Sequence, residues 1–130
     1  MKLIINTVNL KIGGAFQRAI SFLNELKEFG VDKYHVFLTE ELGDLLQIEN
    51  YPDNFNFYFF KNSPAPLKYR REIVKIFNDL EDKIKPNLVF SFVGVAYWRP
   101  RSKHIVGYGI PHLVYTDNHY INQSSLKLKI

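Results

Sequence analysis

Apolar positions along this chain switch between two periods. Leu3-Ile4-Ile5 is a short unbroken apolar run, the pattern of a strand buried on both faces of a parallel sheet. Phe16, Ala19, Ile20, Leu23 and Leu26 then recur at helical spacing, with Gln17, Arg18, Asn24, Glu25, Lys27 and Glu28 on the other side. This predicts an amphipathic helix ending at Gly30 as its C′ residue. Tyr34-His35-Val36-Phe37-Leu38 reads as a second strand. Thr39 to Asn50 is polar with Leu42, Leu45, Leu46 and Ile48 scattered through it, which predicts one short helix and a loop. Phe55-Asn56-Phe57-Tyr58-Phe59-Phe60 is an aromatic third strand. The turn Asn62-Ser63-Pro64-Ala65-Pro66 launches a helix with the stripe Tyr69, Ile73, Ile76, Phe77, Leu80 and Ile84, closed by Lys85-Pro86-Asn87. Leu88-Val89-Phe90-Ser91-Phe92 is a fourth strand, and Val93 to His104 a long loop. Ile105-Val106 and His112-Leu113-Val114-Tyr115 are short strand-like pieces, and Ser124 or Ser125 is a candidate helix start.

Strands alternating with helices predict an α/β fold, a Rossmann-like parallel sheet with flanking helices joined by right-handed crossovers. The 130 residues fit one domain, 1–130, with no internal repeat. A content of 46% hydrophobic and 15% aromatic residues excludes a disordered chain. The absence of cysteine excludes disulfides and thiolate metal sites and is compatible with a reducing cytoplasm. The net charge of +4 suits phosphates or acidic lipid headgroups, and equally an ordinary solvated surface. No apolar run approaches the roughly 18 residues of a membrane span, so any membrane contact is peripheral. The basic residues are too scattered for the continuous stripe of a nucleic-acid binder.

In open parallel sheets ligands bind beyond the carboxyl ends of the strands. Four segments are expected there: Asn6–Gly14, Thr39–Glu41, Phe92–Arg99 and Thr116–His119. Gly13 and Gly14 precede the first helix, either to let a sugar hydroxyl or phosphate approach the backbone or because a tight turn needs glycine dihedrals. No third glycine stands at the dinucleotide-fingerprint spacing, and the lysine-serine pair of a P-loop is missing. Glu40 or Glu41 occupies the place of a ribose-binding acid. Asp117 and His119 could accept a proton from an attacking hydroxyl, or simply form and flank a turn. Tyr97, Trp98, Arg99 and Arg101 carry stacking faces and phosphate-gripping cations, or cover the sheet edge. Lys68, Arg70 and Arg71 read as a solvated helix face. His35, His104 and His112 read as structural, and the histidine spacing makes no metal site.

Gly13-Gly14-Ala15-Phe16-Gln17 opening a helix, followed by Ser21-Phe22-Leu23-Asn24-Glu25-Leu26, resembles the start of retaining glycosyltransferases of family 4. Tyr34-His35-Val36-Phe37-Leu38 resembles the second strand of that family. Lys85-Pro86-Asn87-Leu88-Val89-Phe90-Ser91 is similar to its Lys-Pro-Asp approach to a later strand, with Asn87 where aspartate is usual. Gly94 with Ala96-Tyr97-Trp98-Arg99-Pro100 resembles the next loop in a bacterial subgroup that decorates surface polysaccharides. The resemblance spans essentially the whole chain.

It implies the GT-B architecture, in which two Rossmann-like halves face each other across a cleft. This chain would be the incomplete N-terminal, acceptor-binding half, inactive alone and lacking the C-terminal donor domain. Gly13, Gly14 and Gln17 would lie at the cleft floor, Gly94, Tyr97, Trp98 and Arg99 against the acceptor, and His119 or Asp117 in the catalytic position. The implied acceptor is a glycan or lipid-linked glycan, and the implied co-substrate a nucleotide sugar with no bound metal or other cofactor. The expected location is cytoplasmic, at the inner face of the membrane. The competing reading is a stand-alone small-molecule or nucleotide-binding module without catalysis. A nicotinamide-dependent enzyme is disfavoured by the missing third glycine. A phosphorelay receiver is disfavoured by Asn6 and Thr7, where an acidic pair would stand.

Overall fold

The computed structural model describes residues 1–10, 14–92 and 97–107. Five strands, β1 (Lys2–Asn6), β2 (Lys33–Thr39), β3 (Phe55–Phe60), β4 (Leu88–Ser91) and β5 (Lys103–Val106), form one sheet in the order β3-β2-β1-β4-β5. Every neighbouring pair is parallel. Three helices, α1 (Gly14–Phe29), α2 (Glu40–Leu46) and α3 (Leu67–Ile84), flank it. This is the Rossmann-like α/β arrangement the periodicity predicts.

The unbroken apolar runs are explained by burial on both faces. Ile5, Val36 and Leu38 pack with Phe16, Ala19 and Leu23 of α1 and with Leu42 and Leu46 of α2. Their neighbours Ile4, Phe37 and Val89 point the other way, onto Ile73, Phe77 and Ile84 of α3. Phe37 and Phe77 are wholly buried and stack at 5.4 Å. Truncating either to alanine would cost about 3–5 kcal/mol.

Helix ends follow local chemistry, with one difference from expectation. The Thr39 hydroxyl accepts from the Leu42 N–H at 3.3 Å and caps α2, so helix rather than loop follows β2 directly. Gln47 and Lys85 end α2 and α3 in the left-handed region, each at φ 53°. Gly30 follows α1, but its φ lies outside that region. Glycine is needed there for space: a Cβ would stand 2.3 Å from the Tyr34 hydroxyl and 2.6 Å from the Leu26 carbonyl oxygen.

Strand β5 begins at Lys103, so His104 belongs to the sheet rather than to the preceding loop. The predicted strand at His112–Tyr115 and helix start at Ser124 or Ser125 lie outside the described residues. Among the described residues no helix is long and apolar enough to cross a membrane.

Candidate functional site

The strand order reverses between β1 and β4. Beyond β1 the chain turns toward α1 and β2, and beyond β4 it turns the opposite way toward β5, which makes the carboxyl ends of these two strands the switch point where open parallel sheets place a ligand crevice. Asn6 and Ser91, paired across this boundary, and the adjacent Thr7 are all no more than 1% exposed. The Phe92 N–H donates to the Asn6 carbonyl at 2.9 Å, and the Thr7 hydroxyl donates to the Phe37 carbonyl at 2.7 Å. The Asn6 Oδ1 accepts from the Val8 N–H at 3.1 Å. Its Nδ2 has no partner among the described residues. Leaving such a buried donor unpaired costs about 1–3 kcal/mol.

Helix α1 starts at the same edge. Gly14 is its first residue, is exposed, and would carry a Cβ with nothing within 4 Å. Its φ is not left-handed. Neither crowding nor backbone conformation therefore requires glycine at 14. What its missing side chain does is leave the amino end of a 16-residue helix open, where N–H groups and the helix dipole favour an anion or polar oxygen.

Polar contacts hold β5 in the sheet, with a carboxylate of α3 gripping its amino end, at the edge opposite the strand carboxyl ends. Ser91 Oγ and His104 Nε2 are 2.8 Å apart across β4 and β5. Burial lowers the His104 pKa, while the Glu81 charge works against this, so the imidazole is held neutral at physiological pH. Glu81, only 3% exposed on α3, receives the Ser102 N–H at 2.9 Å, the Ser102 hydroxyl at 2.8 Å and the Arg101 N–H at 3.2 Å. Its burial alone would raise its pKa. The Ser102 and Arg101 hydrogen bonds and the Arg101 guanidinium outweigh that and hold it below the ordinary carboxylate value. One carboxylate thus clamps the segment that leads into β5.

Of the residues singled out from sequence, Gly14 and Gln17 share the exposed opening of α1. Tyr97 lies apart on the flank of α3, its backbone left-handed at φ 57° and its ring 4.5 Å from the Arg70 guanidinium. Arg99 is exposed. Trp98 does not line the crevice. It is 5% exposed, packs on Phe77 at 4.9 Å and Phe37 at 6.2 Å, and donates its indole N–H to Asn78 at 2.9 Å. Its ring covers the sheet and has no free face for a sugar. Glu40 and Glu41 sit in the first turn of α2, where they complement its dipole. His35 and His104 are strand residues hydrogen-bonded to Tyr58 and Ser91. Gly13, Gly94, Asp117 and His119, with His112, lie outside the described residues.

Sequence reasoning missed Asn6 as a positive feature, along with Ser91 and Glu81. The signal for the first two was a polar residue ending an apolar strand run (Leu3-Ile4-Ile5-Asn6 and Leu88-Val89-Phe90-Ser91). Glu81 carried a weaker one, a charge between Phe77 and Ile84 on the buried side of α3.

Fold and crevice together define a Rossmann-like α/β domain with an open helix amino end at the switch in strand order. Comparison with protein-family models, with curated proteins and with solved structures finds no match for the chain.

Proposed function

We propose that this chain is the acceptor-binding N-terminal half of a retaining, nucleotide-sugar-dependent glycosyltransferase of GT-B architecture, acting in bacterial surface polysaccharide synthesis. The observation that carries the reading is Gly14, which has no internal reason to be glycine and stands open at the switch crevice. The buried Asn6 Nδ2, without a partner among the described residues, leaves a spare donor beneath the same strand ends. The opening motif Gly14-Ala15-Phe16-Gln17 and the Lys85-Pro86-Asn87 approach to β4 are the resemblances that name the family. Asn87 fits its place: its Oδ1 accepts from the Lys2 N–H at 2.9 Å, which an aspartate oxygen would do equally.

In the proposed reaction an acceptor hydroxyl oxygen bonds to the anomeric carbon of the nucleotide sugar. The bond from that carbon to the phosphate oxygen breaks, and the nucleoside diphosphate leaves with the electron pair. The hydroxyl proton passes to a base, which the family resemblance assigns to His119 with Asp117 as the alternative. Stabilising the departing phosphate falls to a second, donor-binding half, so this chain by itself is expected to bind acceptor without turnover. The test is a glycan-array screen of the purified chain beside its Gly14→Val variant, with nicotinamide dinucleotides titrated separately. Selective glycan binding lost in Gly14→Val is expected. Binding of a nicotinamide dinucleotide at this loop, or no glycan binding at all, contradicts the reading.

A further inference from the structure

A second site lies on α3, apart from the crevice. Positions 67, 70, 71, 74, 75 and 78 fall on one helical stripe and, with Tyr97, line an open groove of about 550 Å³. Arg70, Arg71 and Lys75 put three cations into it, and none of its lining residues is acidic. Leu67, 78% exposed, and Val74 give the groove an apolar side.

The charge pattern of the helix runs against its own dipole. Helix α2 follows the rule, with Glu40 and Glu41 in its first turn. Helix α3 departs from it: Lys68, Arg70, Arg71 and Lys75 occupy its amino half against one acid, Glu72, while Asp79, Glu81 and Asp82 share its carboxyl half with Lys83. The acids are used within the fold, where Glu81 and Asp82 hold Arg101 and Ser102. Arg70 is also used: it donates to the Pro64 carbonyl at 2.9 Å and the Ala65 carbonyl at 2.6 Å and lies over Tyr97. Arg71 and Lys75 have no such partner among the described residues. Glu72 and Asp79 stand four residues from Lys68 and Lys75, yet neither acid forms an ion pair among the described residues. Two exposed cations with no partner among the described residues leave the groove's positive charge open to an anion.

We propose that this groove binds a phosphate group carried on an apolar or sugar body. Arg71 and Lys75 match the two charges of a phosphomonoester, and Leu67, Val74 and the Tyr97 ring contact what it is attached to. The inference goes beyond the transferase reading and does not rest on it. Two sources share this chemistry, a soluble phosphate ester and a lipid headgroup. Glycerol 3-phosphate, and phosphatidylcholine vesicles with and without phosphatidic acid, present the same phosphate with and without acyl chains.

The test is binding of each probe to the full chain, to an Arg71→Gln/Lys75→Gln variant, and to a Lys33→Gln/Lys83→Gln variant. The last removes the same charge at the opposite edge of the sheet, beside His35. All four positions are exposed, so folding is not at issue. At least one probe is expected to bind, about tenfold more weakly to the Arg71/Lys75 variant and unchanged to the Lys33/Lys83 variant. Binding of glycerol 3-phosphate identifies a soluble ester, and binding confined to phosphatidic acid vesicles identifies a lipid. Failure of both probes, or equal loss in both variants, overturns the proposal. Neither result bears on glycan binding at Gly14.

Discussion

Replacing Gly14 with alanine separates a structural glycine from a functional one. A Cβ at 14 meets nothing within 4 Å, and the φ there suits any residue. Alanine also loses less backbone entropy on folding and has the higher helix propensity, so Gly14→Ala is expected to stabilise the fold by about 0.4–1 kcal/mol. That corresponds to a rise in Tm of about 2–5 °C for a domain of this size. Gly30→Ala is the matched control. Its Cβ would be driven to 2.3 Å from the Tyr34 hydroxyl, and the repacking should cost about 1–3 kcal/mol. Thermal unfolding followed by circular dichroism reads both changes. Glycan binding is expected to move in opposition to stability, with Gly14→Ala more stable yet weaker binding, because the methyl group occupies the space the ligand uses. A Gly14→Ala chain destabilised by more than about 1 kcal/mol would show instead that the fold itself needs glycine at 14.

Three further outcomes follow from the geometry. Trp98 is the sole tryptophan and is buried, so its emission should be blue-shifted, resist iodide quenching and ignore glycans, while Trp98→Ala should cost about 3–5 kcal/mol in chemical denaturation. Glu81→Gln should cost about 1.5–3 kcal/mol near neutral pH, because it removes a charged acceptor from three donors. The Glu81 pKa is depressed in the fold, so its contribution is present above the ordinary value of 4.5 and is lost as pH falls through the lower folded value. The two chains should therefore converge in stability in acid. Reversing Arg71 to glutamate should stabilise α3 by about 0.2–0.5 kcal/mol at low ionic strength through an i,i+4 pair with Lys75, with the gain fading in salt, as unfolding midpoints at two salt concentrations would show.

The sheet and helices were legible because they rest on periodicity. Runs such as Leu3-Ile4-Ile5 and Leu88-Val89-Phe90 announce two-sided burial, and the helical stripes of α1 and α3 are unbroken. The open end of α1 was legible from Gly13-Gly14 following an apolar strand. What local pattern does not carry is the partner of each polar group. Trp98 beside arginines looks like a binding residue until Phe37 and Phe77, distant in sequence, close over it. Gly30 looks like a left-handed cap until Tyr34 is seen to occupy the space. Glu81 looks like a surface charge until the chain returns twenty residues later with Arg101 and Ser102. In the sequence Asn6 stands out only as the start of a ligand-edge segment and as a non-acidic residue after the first strand. Its meaning comes from β4 lying alongside β1, a pairing that joins residues far apart in the chain.

The central claim is that the amino end of α1 at the β1–β4 switch is where a sugar-bearing ligand meets this domain. The most direct measurement is an amide NMR titration of the isotopically labelled chain with a glycan selected from the array, following the Gly14 N–H and the Asn6 side-chain NH₂. Saturable shifts are expected at both groups, while the buried Trp98 indole N–H stays still. Shifts confined to other surfaces, with Gly14 and Asn6 unmoved at saturation, would contradict the claim.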